Sequence, residues 1–527
     1  MAEIHTPVLV VGGGVTGLSG ALFLAWHGVP CLLVERHPDL LIHPRARGLT
    51  PRTMECYRQV GLEPAIRAVA FAGDEFAYVP VRAATLNAEE YVTAEEPGED
   101  DGSGASPSGF GPIDQDKLEI LVRDRARKLG AEIRFGTELT SFTQDDTGVT
   151  AVITDRAGGE RQTVRADYLI AADGVGSPIR EQLGIGVDGP GPLYETITAI
   201  VEADLRPALR GRRLSIAYLQ QPRPFTILLA HDDAGYRWVF GTGYDPEHES
   251  PDDYTEARVA EMVRAAAGLP AVDVTLHPQI PGTDAKVLAF PIAARVARRY
   301  RQGRVFLAGD AAHAVPPTGG LGANTGIQDA HNLAWKLAAA TGGRAGAGLL
   351  DTYEQERRPV GLLTMEQALA RFGSRMAGGD GPEPVEYAAV ALGYGYRSSA
   401  VLGADGDARP LPPTELTGGP GTRAPHVPIS RDDKELSTLD LYGRGFVLLA
   451  GPEGDAWASA AAGLDVPVTT YRFGVELAPA EAAAAYGIGA GGALLVRPDG
   501  FVAWRSPQAS ADPAAQLDHV LRTVLAR

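Results

Sequence analysis

The feature that most constrains this chain lies near its start. Val8-Leu9-Val10-Val11 is a short apolar run that passes straight into Gly12-Gly13-Gly14-Val15-Thr16-Gly17. A helical pattern follows, with Leu18, Leu22 and Ala25 on one face and Gly28 as its stop. Cys31-Leu32-Leu33-Val34 then reads as a second buried strand, with Glu35 at its tip and Arg36 beside it. A GxGxxG run between strand and helix, with an acid ending the second strand, describes a βαβ unit that binds a dinucleotide. Gly12 permits the turn, Gly14 lets a pyrophosphate touch the backbone, and Gly17 lets helix and strand pack closely. Val15 and Thr16 open the helix whose N–H groups face the phosphates. Glu35 can accept hydrogen bonds from an adenosine ribose.

Length and charge bound what surrounds this unit. A chain of 527 residues is too long for one simple core, so about two to four domains are expected. A net charge of −18 argues against nucleic acid or an anionic membrane surface as the main partner. No apolar run is long enough to span a bilayer, and no basic segment precedes the first one, so neither membrane span nor signal peptide is expected. Two cysteines, Cys31 and Cys56, form no CxxC and fit a reducing cytoplasm. The 11 histidines include no HxH or HExxH, and no protein-bound metal is expected.

Two further strands end in turn motifs. Tyr168-Leu169-Ile170-Ala171-Ala172 runs into Asp173-Gly174, continued as Val175-Gly176-Ser177-Pro178-Ile179-Arg180. Val305-Phe306-Leu307-Ala308 runs into Gly309-Asp310 and then a segment with glycines at 319, 320, 322 and 326 ahead of a helix. Glycines clustered ahead of a helix suggest a turn or a ligand pressed on the main chain. GxGxxG, DGxxSxxR and GDAAH in this order resemble the flavin-dependent aromatic hydroxylases of the para-hydroxybenzoate hydroxylase type, over about residues 5 to 375.

The resemblance implies FAD as cofactor and assigns its contacts. Asp310 would hydrogen-bond the ribityl chain, and the segment from Pro316 through Pro317, Gly320, Leu321, Gly322 and Ala323 to Asn324 would lie along the isoalloxazine ring. Backbone N–H groups of Leu321 to Asn324 open a helix carrying Ile327, Ala330, Ala334 and Leu337 on one face, and would stabilise negative charge on reduced flavin. On this reading the glycines are present because a flat ring approaches. Arg45 or Arg47 would reach the flavin or its phosphates, and Gln115 the cofactor chain. Asp173 and Arg180 are candidates for both FAD and NAD(P)H. His313 is read as capping the strand-to-helix turn rather than as catalytic. The glycine-rich run Gly487 to Gly492 follows Tyr486 and precedes a strand, so it is not a second dinucleotide fold. NADPH (or NADH) is therefore expected to dock transiently.

Between about 182 and 285 the pattern alternates. Leu214, Ile216 and Tyr218 share one strand face, Phe225, Ile227 and Leu229 another, and Tyr236, Trp238 and Phe240 a third. Such a sheet suits a lid over a flat apolar substrate and equally an ordinary core. Tyr218 resembles a tyrosine of the anthracycline hydroxylases that is a candidate to remove a phenolic proton, for which its pKa would have to be lowered. Arg375 is a second candidate facing the pocket. Residues 89 to 109 are acidic and rich in turn formers, a mobile loop that gates entry or is merely solvated. Residues 351 to 359, DTYEQERRP, close the resemblance, and a Gly/Pro-rich linker leads to a tail that resembles the cysteine-free, thioredoxin-like tail of phenol and polyketide hydroxylases. That tail is expected to buttress the fold or make a dimer contact.

The expected fold class is α/β. A FAD-binding Rossmann-like domain (1–181 and 286–400) holds an inserted antiparallel β-sheet substrate domain (182–285), and a linker (401–425) leads to a thioredoxin-like α/β domain (426–527). The nearest likeness is to aklavinone hydroxylase-like enzymes of polycyclic aromatic polyketides. It implies reduction of FAD by NAD(P)H, formation of a flavin C4a-hydroperoxide from O2, and oxygen transfer to an aromatic carbon. The partner would be a flat polycyclic aromatic small molecule, with the chain a monomer or homodimer. Baeyer–Villiger insertion on the same fold, a flavin oxidase or dehydrogenase, and a non-catalytic FAD-binding partner are the alternatives.

Overall fold

The structure is a computed structural model that describes residues 3–43, 45–70, 81–90, 103–212, 214, 216–231, 234–376, 382–404 and 409–527. The side chain of Arg375 and most of the acidic stretch, residues 91–102, lie outside the described residues. The near flank of that stretch is packed. Ser106 is buried and donates to Glu55 Oε1 at 2.7 Å.

The apolar runs of the first domain form one twisted sheet. Its parallel centre runs Val305–Leu307, Arg161–Ala171, Glu3–Val11, Cys31–Val34, Glu132–Arg134. Buried on both faces, Cys31–Val34 and Val305–Leu307 read as continuous apolar stretches rather than alternation. The register sets Val11 beside Ala171 and Ala171 beside Leu307. The three motifs, which are separated by well over a hundred residues in sequence, therefore leave the sheet side by side at its carboxyl edge, where ligands of open α/β sheets bind.

The helix Leu321–Thr341 departs from the one-sided pattern expected of it. Ile327, Ala330, Ala334 and Leu337 are buried, and so is nearly every other residue, because the helix is packed from several sides. The helix Val15–Trp26 lies against it on one side, and the long helix Thr352–Met376 on another.

The second sheet is larger than the 182–285 boundary allowed. Its order is His313–Ala314, Val287–Ala297, Val187–Glu202, Arg237–Tyr244, Thr226–Ala230, Ile216–Leu219, Val81–Ala83, with Thr275–His277 also on the long strand. Strands from outside the insertion, Val81–Ala83 and His313–Ala314, form the two ends of the sheet. Trp238, Phe240, Leu228, Ala217 and Leu219 bury one face under the helix Glu256–Ala267. Trp238 and Phe240 are thus core residues and not a lid.

The tail is a four-stranded sheet in which Phe446–Ala450 runs parallel to Val468–Arg472 and antiparallel to Ala493–Val496, with Val502–Ser506 at the edge. Helices Asp455–Ala462 and Pro513–Val524 complete the thioredoxin-like unit. Gly487 to Gly492 form the turn before a strand, as their surroundings imply. The tail's core takes in Trp335, Ala339 and Leu349 of the first domain. Among the described residues, no helix is long and apolar enough to cross a membrane.

Candidate active site

The glycine loop closes on neighbouring backbone at two of its glycines. Gly12 has φ +109°, and a Cβ there would meet Ala172 O at 2.1 Å; one on Gly17 would meet Gly12 O at 2.0 Å. Those two positions are closed by packing. Gly14 is open, its nearest neighbour Glu119 Oε1 at 4.0 Å. Val15 is buried and Thr16 half-buried at the start of the helix. Glu35 reaches back to the loop, its Oε2 accepting from the Gly13 N–H at 2.6 Å and its Oε1 from the His37 N–H at 2.8 Å. Arg36 is exposed beside it.

Beyond the third strand, Asp310 is exposed in an otherwise buried stretch, with Pro317 and Gly320 exposed further on. Gly319 and Gly320 have φ +87° and +64°, a backbone that side chains rarely adopt, and Gly320 faces open space. No side chain caps the helix that begins at Leu321, so its first amides are left for a ligand. Asn324 is a clamp: its Oδ1 accepts from the Thr50 N–H at 2.9 Å and its Nδ2 donates to Gly48 O at 3.1 Å. Not every glycine here serves an approaching ring. A Cβ on Gly322 would meet Val315 at 3.2 Å, and one on Gly326 would meet Thr16 Oγ1 at 2.4 Å and Gly309 Cα at 2.9 Å. Gly326 exists because helices and turns meet there.

Of the two arginines, Arg47 is buried and ion-paired through Nε to Asp114 Oδ1 at 2.7 Å, whereas Arg45 is exposed. Pro44, between His43 and Arg45, lies outside the described residues. Gln115 is buried at the head of Gln115–Lys128, its Oε1 accepting from the Ala46 N–H and its Nε2 donating to Glu119 Oε1 at 2.8 Å. Asp173 accepts from Ser177 Oγ at 2.7 Å and from the Ile179 N–H at 3.1 Å, which anchors the short helix Pro178–Gln182. Arg180 is buried and donates to the carbonyls of Ala311, Val175 and Gly176. It ties the second motif to the third. His313 is buried with Nε2 2.7 Å from Asp329 Oδ2, and Arg357 Nε holds the other oxygen at 2.7 Å. This histidine is a structural brace.

The uncovered face of the second sheet looks toward this edge. Tyr218 is half-buried on it, set by register beside Ile227 on one side and Arg82 on the other. Tyr194, Phe225 and Phe372 form a cluster of nearly parallel rings: centroids lie 5.7 Å, 5.8 Å and 6.4 Å apart, with interplanar angles of 13° to 21°. Phe225 is 40% exposed and holds φ +64°, an unfavourable backbone for a bulky side chain. Phe290, 38% exposed, shares the face through its partner Thr196. Burial, with Tyr218 nearby, pushes the Tyr194 hydroxyl up to about 12. Phe372 follows Arg371, whose Cδ a Cβ on Gly319 would meet at 3.0 Å. Arg82, Tyr194, Phe290 and Phe372 escaped the sequence reading. Tyr194 lies in an alternating run that could have flagged it, but nothing local pairs it with a residue on a helix 178 positions away.

An open Gly14, an open Gly320, an exposed carboxylate at Asp310 and an uncapped helix N-terminus suit a pyrophosphate, a flat ring and a hydroxylated chain between them. Those are the parts of FAD. The match to known families agrees. Residues 5–368 match the FAD binding domain, and residues 417–527 match the aromatic-ring hydroxylase C-terminal domain. The chain is 44% identical to the tetracenomycin A2 monooxygenase-dioxygenase of Streptomyces glaucescens, over 100% of this chain and 98% of that protein. It is 43% identical to a 4-methyl-5-nitrocatechol 5-monooxygenase of a Burkholderia species, over 100% and 98%. The crystal structure of aklavinone-11 hydroxylase with FAD and aklavinone superposes with a TM-score of 0.90 at 43% identity, covering 100% of both chains. The chain belongs to the FAD-dependent aromatic-ring hydroxylases.

Proposed function

We propose that this enzyme is an NAD(P)H-consuming monooxygenase that hydroxylates a flat, polycyclic aromatic polyketide. The observation that carries this reading is the extended aromatic wall of Tyr194, Phe225 and Phe372, the last on the same helix as Arg371, which packs at Gly319. Offset stacking on such a wall favours a large fused-ring system over a single small ring. The bound flavin supplies hydride acceptance from NAD(P)H and the activation of O2 that no side chain can provide.

The chain's own residues bind, orient and exclude. Asp310 and the amides of Leu321 to Ala323 would hold the flavin end, and the open backbone at Gly14 with Arg45 would hold the pyrophosphate. Glu35 fixes the glycine loop and would face the ribose. Tyr218 Oη accepts the phenolic proton, which makes the ring carbon ortho or para to it nucleophilic. Arg82, on the same face, supplies positive charge toward the resulting phenolate. The sheet keeps water from the reacting atoms.

Turnover of a polycyclic phenol under isotopically heavy O2, with product mass and NMR, tests the reading. One heavy oxygen in a new aromatic hydroxyl is expected. A lactone oxygen instead would mean Baeyer–Villiger insertion, and no incorporation would mean an oxidase.

A further inference from the structure

Glu119 is a buried carboxyl that none of the preceding steps uses. It lies one turn into the helix Gln115–Lys128 and is 2% exposed. Its Oε1 is the nearest atom to where a Cβ on Gly14 would stand, 4.0 Å away, so the carboxyl forms the back wall of the open part of the glycine loop. Gln115 Nε2 donates to it at 2.8 Å, and Gly14 is the N-cap of the helix Val15–Trp26. The carboxyl therefore stands beside the helix N-terminus that a pyrophosphate needs.

A carboxylate and a pyrophosphate cannot share that helix end cheaply while both are ionised. We propose that Glu119 is a proton-coupled cofactor-positioning residue: its buried carboxyl backs the open glycine, and takes up one proton from solvent when the FAD pyrophosphate docks beside it. This rests on reading the glycine loop as the FAD site.

The surroundings favour the exchange. Burial pushes Glu119 up to about 7, with Asp116 adding to the rise and Gln115, Arg45 and the Val15 N–H opposing it. Tyr57 faces it from the helix Pro51–Gln59, its hydroxyl tied to Ser19 Oγ at 2.8 Å. Arg45 faces it from the loop after the second strand, and Asp116 is itself engaged with His231 Nε2 at 3.4 Å. Glu35, on the other side of the loop, behaves oppositely. Burial works against its charge, but hydrogen bonds from His37 and Gly13 prevail and hold it below the usual range. The loop therefore carries one carboxylate fixed as an anion and one poised to titrate.

The sign follows from linkage. If the bound form holds one proton more, affinity is constant well below pH 7 and falls above it, approaching about tenfold per pH unit until the bound-state pKa is reached. The test is the Kd of FAD from dilution of holoenzyme, read by recovered FAD fluorescence from pH 6 to 9, for wild type and Glu119→Gln. The neutral amide should flatten the curve and bind FAD at pH 8.5 at least as tightly as wild type. A flat wild-type curve overturns the proposal, as does a slope that survives in Glu119→Gln. Proton counting needs no variant: FAD release at pH 8 in dilute buffer with an indicator dye should liberate up to about one proton per FAD. No proton release overturns the proposal. Protein that never retains FAD at any pH overturns the FAD reading along with it, whereas pH-independent retention overturns the role of Glu119 alone.

Discussion

Thr16 shows how tightly the three motifs are locked together. Its side chain wedges between Gly309, at φ +61°, and Gly326, so that one residue of the first motif touches the third motif and the helix after it. Gly326→Ala would set a methyl 2.4 Å from Thr16 Oγ1 and 2.9 Å from Gly309 Cα. Overpacking of this kind costs about 1–3 kcal/mol. The expected result is a lowered melting temperature and a lowered ratio of flavin to protein absorbance, partly restored by adding Thr16→Ala. Tyr218→Phe should instead leave flavin content unchanged and lower hydroxylation by about a hundredfold or more, the usual loss for a general base. Unchanged turnover would remove Tyr218 from the mechanism. The glycines themselves were legible in the sequence, and so was a reason for each in the first motif. The reason for Gly326 was not, because Thr16 and Gly309 become its neighbours only when distant strands align.

At the scale of elements, period-two alternation revealed the strands of the second sheet and that each has two distinct faces. It could not say which face a helix covers. The helix Glu256–Ala267 settles that by packing on Trp238 and Phe240, leaving Tyr194, Tyr218 and Phe290 toward the cofactor edge. The two faces should respond differently to truncation. Trp238→Ala opens a cavity in the core and should cost about 3–5 kcal/mol in chemical denaturation. Phe372→Ala removes one ring from the wall, and a stacked pair contributes about 0.5–1.5 kcal/mol. Its expected effect is a rise of roughly twofold to tenfold in the Kd for a polycyclic phenol, with little change for a one-ring phenol. Equal losses for both ligands would contradict a wall built for fused rings.

At the scale of the molecule, the tail is fastened to the catalytic body by buried charge. Glu356, on the long helix, accepts from Arg497 at 2.6 Å and 2.8 Å, from Lys336 at 2.7 Å and from Ser398 at 2.6 Å. Asp499 holds Arg497 from the other side, and Glu55 pairs with Arg423. The Arg497-Pro498-Asp499-Gly500 turn was legible as a hairpin turn, yet its burial was not, since charged turns ordinarily face water. Arg497→Met leaves Glu356 with one fewer partner, and breaking a buried pair on one side costs about 3–5 kcal/mol. Denaturation should show that loss, and Arg497→Met with Glu356→Gln should recover part of it. The measurement that tests the central claim most directly is anaerobic stopped-flow bleaching of the flavin by NADPH or NADH, with and without a polycyclic phenolic polyketide. The account predicts strong acceleration of flavin reduction by the phenol. No reduction by either nucleotide, with or without it, would contradict the account.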